Sequence, residues 1–205
     1  MLMRFGQQRQ NMESWRQRLE SLDEAQTEML LGSPMSQLFA AWPLSVSHPA
    51  VVGAFYGLLL MAALIIPIGY HNSWNVEFWF REVAFRGLSI ALGLALAGQF
   101  SSLISKFFQR TPITPPRAVL FIMPFAGFII LLGSWMDLVP QIPEVLAWLL
   151  MLAPGPIYVH LSWAPRYRML TMLEDGKDPF GPSRVELGQQ EMEQELVDAV
   201  NAIDD

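Results

Sequence analysis

SIALGLALAGQFSS, residues 89–102, places a small side chain at every fourth position, Ser89, Gly93, Ala97 and Ser101, and carries no charge. It sits within Val83–Ile104, an apolar window whose one arginine, Arg86, lies near its start. A bilayer core of roughly 30 Å is crossed by about 20 mostly apolar helical residues. Three further windows reach that length: Pro49–Gly69, Arg117–Trp135 and Ile142–Leu161. None has an acidic or lysine side chain at its centre. The expected fold is therefore an all-α, polytopic membrane protein. It has a four-helix transmembrane bundle over 49–163, an amphipathic arm over 1–48 and a linker with an acidic helix over 164–205.

Charge is scarce and unevenly spread. Only 16% of the 205 residues are charged, against about 25% in soluble domains. Basic and acidic residues number 4 and 5 in 1–48, 7 and 4 in 49–170, and 2 and 10 in 171–205. The net charge of −6 leaves no basic stripe for nucleic acid. Without cysteine there is no disulfide, thiolate metal site or cysteine nucleophile. The first window is too long, and too far from the start, for a cleaved signal peptide.

Orientation follows from the flanking cations. Eleven of the 13 lysines and arginines precede the first window, lie between the second and third, or follow the fourth; only Arg81 and Arg86 lie on the other side. By the positive-inside tendency both termini are expected in the cytoplasm, in a bacterial-type inner membrane. The outer connections are then the short aromatic segment HNSWNVEFWF (71–80) and a tight DLVPQIPE turn (137–144). Trp74, Trp79, Trp135 and Trp148 fit an outer interfacial belt, and Trp42 and Trp163 an inner one.

Helices in lipid associate by close packing, which small residues four apart allow. Gly53 and Gly57 in GAFYG repeat the pattern over one turn. The Ser89/Gly93/Ala97/Ser101 face therefore packs on the first span or receives a helix from another subunit. In the fourth span, Pro154 and Pro156 flank Gly155 and lack the N–H groups that would bond the carbonyls of Leu150 and Leu152. Such a break is either a kink covered by neighbouring helices or a midplane ion or substrate site of the transporter kind.

Nothing resembles a catalytic set: HExxH, GxSxG and Walker loops are absent. No metal or cofactor is expected. His48 and His160 fall near the inner face, where they either bond locally or, converging, could ligate haem. Glu77, Glu82, Asp137 and Glu144 read as a solvated outer rim. In the amino-terminal arm Trp15, Leu19, Leu22 and Met29 form a helical seam that suits a protein groove. In the acidic tail Met192, Leu196 and Val200 share a helical face that would dock on a cytoplasmic protein.

The expected role is a non-catalytic accessory or scaffold subunit of a membrane complex, bound to other membrane subunits and the lipid bilayer. The four-span, termini-inside plan and the segment SWNVEFWFRE (73–82) are similar to the small membrane subunit of tripartite, binding-protein-dependent (TRAP) transporters, where a tryptophan and acidic pair precede the second span. That resemblance implies the small membrane subunit of a solute transporter. The following loop, KFFQRTPITPPR (106–117), lacks the histidine expected there.

Overall fold

The structure is a computed structural model that describes residues 17–138 and 143–181. Trp15, Met192, Leu196 and Val200 lie outside the described residues. Within them all regular structure is helical.

The described chain opens on a helical turn over residues 17–20, followed by two short helices. Asp23 caps α1, Glu24–Leu31, in a capping box with Gln26, and Ser33 caps α2, Pro34–Ala40, in another with Ser36. The single seam expected through Leu19, Leu22 and Met29 is therefore broken at Asp23. The Asp23 carboxylate competes for the Gln26 N–H and starts a new helix there.

The first long helix, α3, Pro49–His71, begins with proline at its first position, where no N–H is needed. Asn75 then caps α4, Val76–Phe108. Ser73 and Trp74 turn the chain in the left-handed region, at φ 50° and 56°. The segment read as a ten-residue outer loop is thus a four-residue turn followed by helix. At 33 residues, α4 is about 50 Å long and overshoots a bilayer core of about 30 Å.

After α5, Arg117–Trp135, the fourth long helix is composite. It comprises α6, Glu144–Leu152; α7, Pro154–Tyr158; a π-helical turn, Val159–Trp163; and α8, Ala164–Glu174. Residues 164–174, expected to begin a linker, continue the helix. Pro165 cannot donate to the Leu161 carbonyl, and the backbone N–H of Ile113, from the α4–α5 linker, donates to it at 2.8 Å.

Four helices are long and apolar enough to cross a membrane, with only 17–39% of each apolar window buried inside the chain. Phe55, Leu58, Ile66, Leu92, Leu96, Phe121 and Ile129 all point outward. A soluble monomer rarely exposes apolar surface on this scale, so length and composition make this a multi-pass membrane protein. The buried side chains form two clusters. Met61, Leu64, Ile68, Leu131, Ala147 and Met151 fill one. Leu30, Leu44, Val52, Tyr158, Trp163 and Leu170 fill the other, at the end bearing most of the cations.

Candidate functional site

The closest helix contact in the described chain is the α3–α4 crossing. A Cβ on Gly53 would fall inside the contact shell of the Leu94 carbonyl oxygen, and one on Gly57 would lie 3.0 Å from the Ala91 Cα. Gly98 is pressed against the first turn of α3, its would-be Cβ 2.9 Å from the Ala50 Cα. On α4 the buried residues are Gly87, Ala91, Leu94, Gly98, Ser101, Ser102 and Ser105, and all but Ser102 form one row. It advances by alternating steps of four and three, as left-handed packing requires. A strict four-residue row drifts off that face, because four residues exceed one 3.6-residue turn. Ser101 is buried, Ala97 is half-buried, and Ser89 and Gly93 are exposed. Nothing lies within 4 Å of a Cβ built on Gly93. Of the expected α4 row only Ser101 is buried, and its hydroxyl bonds the Ala97 carbonyl and lies 3.3 Å from the His160 Nδ1 of the fourth helix.

The broken helix is occupied. The Tyr56 ring lies against Gly155 so closely that any Cβ there would overlap it. Its hydroxyl donates to the Met151 carbonyl at 2.6 Å. Of the two readings of Pro154, Gly155 and Pro156, this geometry fits the covered kink, since a ring fills the space beside the break. Tyr56 carries a signal in the sequence itself: a phenol inside an apolar span needs a partner for its O–H.

At the cation-rich end the central group is Arg166, only 3% exposed. Its Nε donates to the Met29 carbonyl at 2.9 Å, and its Nη2 to the Thr114 hydroxyl at 3.0 Å. Its Nη1 donates to the hydroxyl and carbonyl of Ser162. One guanidinium therefore joins α1, the α4–α5 linker and the fourth helix. Among the described residues no carboxylate pairs with it; neutral oxygens solvate the charge. Leu19 and Leu22 pack against this same cluster, and Arg18 donates to the Leu173 carbonyl at 2.6 Å. Of the arm's apolar residues, Leu19 and Leu22 are thus engaged inside the chain, whereas Met29, Met35, Leu38, Trp42 and Val46 are exposed. Trp163, expected at a lipid interface, is fully buried and donates from its indole to the Ser47 carbonyl at 2.7 Å. In sequence Arg166 was one flanking arginine among several, and nothing marked it as buried.

The histidines are locally engaged. The His48 Nδ1 accepts the Ala50 N–H at 3.2 Å, capping α3, and its ring stands edge-on to Tyr167 at 5.1 Å. Burial, and secondarily the charge of Lys106, hold the His48 pKa below its ordinary 6.5. His160 lies 3.3 Å from the Ser101 hydroxyl through Nδ1 and 3.4 Å from the Arg110 Nη1 through Nε2. A haem pair would have to give up these contacts. At the opposite end His71 stacks on Trp135 at 4.6 Å, Arg86 pairs with Glu82, and Trp148 donates to Glu144 at 3.2 Å. Among the described residues no three His, Asp or Glu side chains gather as metal ligands.

The class is that of a multi-pass α-helical membrane protein. Comparison with protein-family models, curated proteins and solved structures finds no match to this chain.

Proposed function

We propose that the chain is a non-catalytic scaffold subunit of a bacterial-type inner-membrane complex, with both termini in the cytoplasm. The observation that carries this reading is the outward-facing pair Ser89 and Gly93 on α4. Leu88, Leu92 and Leu96 beside them project outward, while the space over Gly93 is open. The result is a shallow notch in an otherwise bulky lipid-facing surface, and small residues at such a place admit the backbone of a second helix. The α3–α4 hairpin is held by its own glycines, so the notch is free for another membrane subunit. The acidic tail, with Met192, Leu196 and Val200, would recruit a cytoplasmic protein.

The test is Gly93→Leu in the full chain, affinity-purified in mild detergent. A Cβ at this position has open space around it, so the unfolding midpoint is expected to stay near that of wild type while the co-purifying membrane subunit is lost. Wild-type protein isolated as a lone monomer, or a Gly93→Leu variant that keeps its partner, would overturn the reading.

A further inference from the structure

The contacts of Arg110 point to a ligand. Gln109 ends α4 in the left-handed region, at φ 47° and ψ 37°, uncommon for a residue with a side chain. That turn folds the chain back, so that Arg110 lies 5.4 Å from the centre of the Phe108 ring and meets the His160 Nε2 at 3.4 Å. The π-helical turn carries His160, and extra-residue turns of this kind recur at functional sites. One proton assignment satisfies the chain of contacts. The Ser101 hydroxyl donates to the Ala97 carbonyl at 2.8 Å and accepts from the Nδ1–H of His160. The Nε2 lone pair is then left for Arg110. In this arrangement His160 acts as an acceptor that orients a cation.

Arg110 itself is exposed, and an arginine has five N–H donors, so most of its fork remains for something outside the chain. No acidic side chain occurs in residues 103–136 or 145–173. Among the described residues the ion pairs are Arg86–Glu82 and Lys177–Asp175, so neither Arg110 nor Lys106 has an internal anion. The planar fork of arginine suits phosphate oxygens in particular. What separates a lipid from a free phosphate is the apolar surface alongside. Phe107 and Phe108 are 82% and 67% exposed at the end of a membrane-length helix, where an acyl chain would lie as the headgroup meets the guanidinium.

We infer that Arg110, positioned by His160 and Phe108, binds the headgroup phosphodiester of an anionic phospholipid at the cytoplasmic leaflet. This rests on the orientation proposed above but not on the scaffold role.

The full chain in detergent micelles is titrated with dioleoylphosphatidylglycerol and with dioleoylphosphatidylcholine, and bound lipid is counted by native mass spectrometry. Wild type is expected to retain phosphatidylglycerol preferentially. Arg110→Gln should weaken that retention about fivefold, the scale of one basic side chain at an anionic surface. His160→Leu should weaken it less, and Arg110→Lys should restore part of it. Lys177→Gln, which removes an exposed cation elsewhere, should leave it unchanged. Unaltered unfolding midpoints in the detergent micelles with added phosphatidylcholine show that the variants are folded. Equal retention of the two lipids, or equal losses in Arg110→Gln and Lys177→Gln, overturns the inference. Displacement of the lipid by millimolar inorganic phosphate also overturns it, assigning the site to the free anion. Because this experiment reads lipid and the Gly93→Leu experiment reads a protein partner, either can fail alone.

Discussion

At the scale of single residues, two glycines on facing helices have opposite consequences. Alanine at Gly53 would drive its methyl into the Leu94 carbonyl, a backbone group with no rotamer to yield. Alanine at Gly93 meets nothing. Overpacking of this kind costs roughly 1–3 kcal/mol, so Gly53→Ala should lower the stability of the α3–α4 hairpin by about that much. Gly93→Ala should stay within about 0.5 kcal/mol of wild type, as substitutions away from contacts do. Unfolding of both variants in mixed detergent micelles checks this, and a Gly53→Ala variant as stable as wild type would contradict the crossing described. Tyr56 shows the same economy. One ring closes the space at Gly155 and one hydroxyl bonds a carbonyl beside the proline break, where hydrocarbon offers no other donor.

At the scale of elements, the fourth helix is the organiser of the cation-rich end. Its π-helical turn and Pro165 together leave backbone and side-chain oxygens that the α4–α5 linker and Arg166 engage. Arg166 then reaches α1 through the Met29 carbonyl. Removing the guanidinium leaves these acceptors unpaired in a buried place, at about 1–3 kcal/mol. Arg166→Met is therefore expected to release α1 selectively. Amide hydrogen exchange over residues 24–31 should quicken by about tenfold or more while exchange across the α3–α4 crossing stays at wild-type rates. Uniform quickening would show instead that the guanidinium supports the whole fold rather than the arm. The composite helix is also longer than its sequence pattern suggests. Pro154, Pro156 and Pro165 each punctuate the pattern, and a proline read locally ends or kinks a helix. The neighbouring helices and linker that let it continue to Glu174 are invisible in a one-dimensional pattern.

At the scale of the whole molecule, the two ends of the helices differ in chemistry. One carries Lys106, Arg110, Arg166 and Arg168 together with the docked arm; the other carries the aromatic and acidic groups around Trp74, Trp135, Glu82 and Glu144. If the cation-rich end faces the cytoplasm, exposed Arg18 and Lys177, which flank the long helices, lie on that side. Trypsin should then trim both ends in sealed inside-out vesicles and neither in right-side-out vesicles. The reverse pattern would invert the orientation and remove the anionic leaflet from Arg110.

The sequence by itself determined the four apolar helices and the asymmetry of cations about them, because both depend on the solvent that each stretch of chain requires. Hydrocarbon demands an uninterrupted apolar helix, whatever its neighbours. Tertiary structure alone decided which face of α4 meets α3, that a ring from one helix closes the break in another, and that Arg166 is buried while Arg110 is exposed. Those outcomes turn on a rotation of a few tens of degrees about a helix axis, and on donors and acceptors brought together from residues 29, 114 and 162. Local pattern carries no term for either.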